Sequence, residues 1–147
     1  MEAGSEDFVK IRHPQPMSAQ HAIILPRRRV PDIEALLQDE AGWTVFVAFA
    51  EAQVDFQQTS MCCNYGCRQE VKQVHFHVLP RESLPEKQGD MWCLEVDGRR
   101  SFFGGSGNIY MDSADLADRE FVRKIFTEGK KEYPKGFSMI WRRERCI

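Results

Sequence analysis

The stretch Gln73-Val74-His75-Phe76-His77-Val78-Leu79-Pro80-Arg81 restricts the fold of this chain more than any other. Side chains of a strand alternate between its two faces. Read as a strand, the stretch puts Gln73, His75 and His77 on one face and Val74, Phe76 and Val78 on the other. The apolar face can cover a core. Two imidazoles and an amide are then left side by side on the open face. They include two of the chain's four histidines. Imidazole changes charge near neutral pH, so such a pair suits nucleophilic or acid–base work. Three readings of the pair stand at this point: plain surface polarity, part of a metal site, or catalytic groups. Zinc needs three or four ligands. The sequence-adjacent thiols, Cys62, Cys63 and Cys67, do not form a CxxC pair. No metal or cofactor is therefore assigned.

Composition narrows the class. The chain has 147 residues, which predicts one domain over 1–147 with enough length to bury a core. Its net charge of −2 and pI near 6.1 give no electrostatic reason to expect nucleic acid as a partner. No run of eighteen apolar residues is present, so no membrane span is expected. The acidic start Met1-Glu2-Ala3-Gly4-Ser5-Glu6-Asp7 has no signal-peptide core. Five cysteines without scaffold spacing fit a reduced, cytoplasmic protein.

Local patterns predict the other elements. Phe8 to Arg12 and His21 to Leu25 read as strands, separated by the breaker His13-Pro14-Gln15-Pro16. Pro31 to Leu37 reads as a short helix and Ala41 to about Gln57 as a longer one. Apolar residues cover more than one face of the second helix, which predicts burial on two sides. Thr59 to Tyr65 reads as a strand. It sends Cys62 and Cys63 to opposite faces, as one core thiol and one surface thiol. Glu82 to Asp90 is a polar loop. Met91 to Val96 and Arg99 to Phe103 form a hairpin about Asp97-Gly98. The run Gly104-Gly105-Ser106-Gly107-Asn108 lacks the Lys-Ser/Thr of a P-loop and is given no phosphate role. Asp112 or Ser113 is the predicted cap of a helix reaching about Gly129, and Phe137 to Trp141 a final strand. Arg27-Arg28-Arg29 is read as a solvated strand end, and Arg142-Arg143-Glu144-Arg145 as too short and mixed for a nucleic-acid patch.

The segment Gln69 to Arg81 resembles the signature of the histidine triad (HIT) superfamily, His-φ-His-φ-His-φ-φ with φ apolar, often followed by Pro-Arg. Gln20-His21-Ala22-Ile23-Ile24-Leu25-Pro26-Arg27-Arg28 is similar to the family's Gly-His strand that ends in Pro and a basic pair. The resemblance is clearest over 8–81, and 82–147 is a divergent part. It implies an α+β fold: an antiparallel sheet of about five strands with two to three helices, mainly on one face. It also implies hydrolysis or transfer of a nucleotide at its α-phosphate, through a nucleotidyl-histidine and without a cofactor. His75 takes the nucleophile's position and His77 that of the phosphate-binding partner. Gln73 stands where the first triad His belongs. His21 matches a histidine that supports the triad from the next strand. Asn64 and Gln69 match positions near the phosphate. His13 sits where relatives hold the ribose hydroxyls. Arg68 and Glu70 replace the usual Gly and Ser/Thr. The N-terminal segment that relatives carry is supplied only in part, so an incomplete base pocket is expected. The second helix corresponds to a dimer interface, which implies a homodimer. The alternative is a nucleotide-binding protein that has lost its chemistry, and the third reading is a His75-x-His77 metal site.

Overall fold

The computed structural model describes residues 3–4, 7–14, 16, 20–84 and 91–143. Six residues of the expected loop (85–90) and part of the C-terminal basic run (144–145) lie outside them. In chain order, the strands β1 (Ala3–Gly4), β2 (Phe8–Arg12) and β3 (Ala22–Pro26) come first. The helices α1 (Ile33–Gln38) and α2 (Glu40–Gln53) follow, then β4 (Thr59–Gly66) and β5 (Phe76–Pro80). The remainder is β6 (Met91–Val96), β7 (Arg99–Gly104), β8 (Asn108–Asp112), α3 (Arg119–Glu132) and β9 (Gly136–Arg142).

Each helix begins on an aspartate. Asp32 accepts from the Ala35 N–H at 2.9 Å, Asp39 from Gly42 at 3.0 Å and Asp118 from Phe121 at 3.2 Å. Such caps contribute about 1 kcal/mol each. The cap of α3 is thus Asp118, not Asp112 or Ser113. Asp112 instead caps a single 3-10 turn over Ser113–Asp115. In the β6–β7 hairpin, Asp97 and Gly98 have φ of 52° and 76°. That pair of left-handed residues is the turn whose twist matches its flanking strands.

The strands join in one sheet of order β1-β2-β3-β5-β4-β9-β8-β7-β6. The expected five-stranded antiparallel sheet is thereby corrected: the sheet has nine strands and is mixed. Residues after 81 supply β6 to β9, and β9 pairs with β4 over Met61↔Trp141 to Gly66↔Gly136. The pair β8–β9 is parallel, because α3 carries the chain back between them.

The two faces of this sheet differ. One carries Phe8, Ile24, Met61, Cys63, Phe76, Val78, Ile109 and Trp141 against the helices in a continuous core. Phe76, fully buried, stacks on Phe46 of α2 at 4.2 Å between ring centroids. Trp43 of α2 donates its buried indole N–H to the Leu116 carbonyl at 3.1 Å, so one core spans both halves of the chain. The helices cover this face alone. The opposite face carries a small cluster of Cys62, Tyr110 and Ile140. Cys62 and Cys63 do point to opposite faces, but both are buried, where the sequence had placed one at the surface. No helix among the described residues is long and apolar enough to cross a membrane.

Candidate functional site

Pairing register brings the histidines together on the face without helices. His77 of β5 stands opposite Ile23 of β3 and Cys62 of β4. The backbone N–H of His13 bonds to the His21 carbonyl at 3.0 Å, extending the β2–β3 ladder by one pair. His13, His21, His75 and His77 are all the histidines the chain has, and they form one cluster. The rings of His13 and His21 stack at 4.1 Å, and those of His75 and His77 meet edge to face at 5.0 Å. An adjoining cavity of about 440 Å³, of a size that accepts a small ligand, is walled by His13, His75 and His77. Asn64, Arg68 and Gln73 are its other polar walls, Glu70 lies at its exposed edge, and Ile23, Leu25 and Val71 are apolar. A larger cleft of about 980 Å³ lies at the end of α2 near Asp55, Arg81 and Arg143. Among the described residues it holds no histidine or cysteine, so the chemistry points to the smaller one.

His75 is oriented by the backbone. Its Nδ1 lies 2.9 Å from the Gln73 carbonyl oxygen. A carbonyl only accepts, so Nδ1 carries the proton and the neutral ring keeps its lone pair on Nε2. That is the tautomer a nucleophile needs.

His77 is oriented by a second imidazole. Its Nδ1 is 2.9 Å from Nε2 of the buried His21. With His21 as the donor, the His77 proton sits on Nε2, where it can be given to an anion. Burial, then the like charges of His75, His21 and His13, push the His77 pKa down to about 4. Burial and His13 also lower that of His21. Both rings are then neutral at pH 7. The unfolded value is 6.5, so between 6.5 and about 4 the unfolded chain binds the proton and the folded one does not. Stability therefore falls as pH drops through that window. Urea melts at pH 7, 5.5 and 4.5 are expected to show a shallower fall for His77→Gln than for the wild type. Parallel curves would show that His77 titrates as it does in the unfolded chain.

Gln73 differs from its expected placement. The strand begins at Phe76, and Gln73 lies in a bend before it. Its Oε1 accepts from the Val30 N–H at 2.9 Å, while Nε2 donates to the carbonyls of Arg28 at 2.8 Å and Pro26 at 3.1 Å. The Gln73 side chain is thus a clamp between the motif and the β3–α1 connection. Gln69 also serves backbone: its amide donates to the carbonyls of Pro31 at 2.6 Å and Val71 at 2.9 Å. It does not line the cavity. Asn64 does. Its Oδ1 accepts from the Ser138 hydroxyl at 2.6 Å, which leaves the NH2 as the group it can offer a ligand.

Sequence reasoning missed Ser138 and Asn108, which stand beside Asn64 in one row across β4, β9 and β8. Only the register of 82–147 against β4 reveals them. The nitrogens of His13, His21 and His77 lie within 4.8 Å of one another, a different set from the His75–His77 pair. A metal must lie in the plane of each imidazole it binds. The His13 and His21 planes are only 15° apart and stacked, so their lone pairs do not converge on one point.

A helix-covered sheet with a histidine-walled cavity on its open face defines the class: an α+β protein with an imidazole-based site. The HIT domain model matches residues 4–84, more than half of the chain, and the protein belongs to the HIT family. Comparison with curated proteins and with solved structures gave no significant match.

Proposed function

We propose that this protein hydrolyses or transfers a nucleotide at its α-phosphate through a nucleotidyl-His75 intermediate. The HIT family includes nucleotide hydrolases and transferases. The observation that carries the reading here is the 2.9 Å bond from His75 Nδ1 to the Gln73 carbonyl, which leaves Nε2 as the nucleophile. In the first displacement the Nε2 lone pair forms an N–P bond. The bond from phosphorus to the leaving group breaks, and its electron pair departs with that group, which takes a proton from solvent where it leaves as an amine. In the second, water attacks phosphorus and loses a proton to solvent, and the N–P electron pair returns to Nε2. His77 and the amide of Asn64 donate to the phosphate oxygens as charge builds. His13, on the cavity wall, is placed to meet the sugar.

AMP release from adenosine phosphoramidate and, separately, from diadenosine triphosphate tests this reading. The faster substrate identifies the leaving group. Gln73 supports a second reading, binding without turnover. Its amide is committed to three backbone groups, so it cannot serve as an acid or base. That reading predicts AMP binding with neither release nor adduct.

We also propose a homodimer. Val45 of α2 is 39% exposed and Ala48 lies beside it on the outer side of the helix, while Trp43, Phe46 and Val47 face the core. Light scattering at micromolar concentration is expected to give twice the chain mass of 17.1 kDa. A monomer mass would remove the proposal.

A further inference from the structure

Arg68 stands where the resemblance leads one to expect glycine, in the connection between β4 and the histidine motif. Its side chain crosses to the other half of the chain. Nη1 donates to Asn108 Oδ1 at 2.8 Å, Ser138 Oγ at 2.9 Å and the Gly107 carbonyl at 3.2 Å, and Nη2 donates to the Ser106 carbonyl. Gly107 has no side chain to obstruct it: a Cβ there would meet Nη2 at 2.8 Å. Asn108 and Ser138 belong to the row that continues to Asn64, so the guanidinium lies across the same face as the histidines. It lines the same cavity.

All four acceptors are neutral. They fix the rotamer of Arg68 without cancelling its charge, and among the described residues no carboxylate lies within ion-pair distance of it. Glu70 is the one carboxylate on the described cavity wall, and it is exposed. A pre-ordered cation facing a half-buried cavity binds an anion at little further ordering cost, and the Nε–H and second Nη2–H, which none of these bonds uses, are a donor pair of the kind that matches phosphate geometry.

Resting on the nucleotide reading above, we propose that Arg68 forms an anion subsite beside the histidines that takes a phosphate beyond the α-phosphate. The preferred substrates are then nucleotides with a phosphate-bearing leaving group, rather than those that release a neutral amine. The Gly104–Asn108 run, given no phosphate role from its sequence, serves the phosphate indirectly by holding Arg68.

The test is calorimetric titration of the full chain with AMP and with α,β-methylene-ADP, whose bridging carbon prevents turnover. Wild type is expected to favour the diphosphate about tenfold, the scale of one charge-assisted hydrogen bond. Arg68→Gln removes the charge but also part of the network. Asn108→Asp is the cleaner variant, because it keeps the shape and sets a carboxylate 2.8 Å from Nη1. Both are expected to bring the preference near unity while AMP affinity changes less than twofold. An unchanged preference in Asn108→Asp would overturn the subsite, as would an equal loss of AMP and diphosphate affinity. Should wild type bind neither nucleotide, the nucleotide reading itself fails. Inorganic pyrophosphate then reads the subsite alone: binding lost in Asn108→Asp supports it, and no binding to wild type overturns it.

Discussion

Replacing His75 by alanine is expected to lower AMP release by at least about 10³-fold, the scale on which an enzyme loses its nucleophile. Loss of the imidazole removes the lone pair that attacks phosphorus. None of its neighbours can substitute. His77 is two residues further on with Nδ1 engaged by His21, and Gln73 has no basic nitrogen. The fold is expected to survive, because His75 lies outside the apolar core and precedes the first residue of β5. A melting temperature within a few degrees of wild type, together with lost turnover, would locate the defect in chemistry. Substantial AMP release by the alanine protein would assign the nucleophile elsewhere.

The second large effect concerns stability. Gln73→Glu keeps the size and the acceptor of the side chain but replaces its NH2 with an oxygen. Two carbonyls, of Pro26 and Arg28, then lose their donor and face a carboxylate. Loss of two hydrogen bonds with like dipoles in their place is expected to cost about 2–3 kcal/mol. For a chain of this length that is a fall of roughly 5–10 °C in melting temperature. Turnover should fall as well, because the Gln73 carbonyl that orients His75 is held by the same clamp. A melting temperature equal to that of wild type would mean that the amide contacts are dispensable.

Parts of this structure were legible because they depend on local pattern. The alternation of Val74, Phe76 and Val78 with the histidines survives in the folded sheet, and Phe76 and Val78 are buried as the pattern requires. Asp97-Gly98 is a turn signal two residues long, and the hairpin forms on it. Other parts depend on residues far along the chain. β5 starts three residues late because Gln73 is drawn to Val30, 43 positions away. Asp118, rather than Asp112 or Ser113, starts α3. Four neighbouring residues could cap: Asp112 is used by the 3-10 turn over Ser113–Asp115, and Asp118, which also pairs with Arg99 of another strand, is left to start the helix. β8 lies between a glycine-rich run and a capping residue, and local pattern assigns it no element. Its identity as a strand comes from its parallel partner β9. The four histidines were all visible in the sequence, but the stacking of His13 on His21 is a consequence of register between β2 and β3. Arg68 was visible only as a departure. Its role required Asn108 and Ser138, 40 and 70 positions away, to lie in one row beside it.

The most direct measurement is intact mass of the protein quenched in acid-free denaturant during turnover of diadenosine triphosphate, followed by peptide mapping. An added nucleotidyl group on the peptide that carries His75, absent from His75→Ala, is the predicted result. Turnover with no adduct at any quench time, or an adduct that persists in His75→Ala, would contradict the nucleotidyl-histidine mechanism.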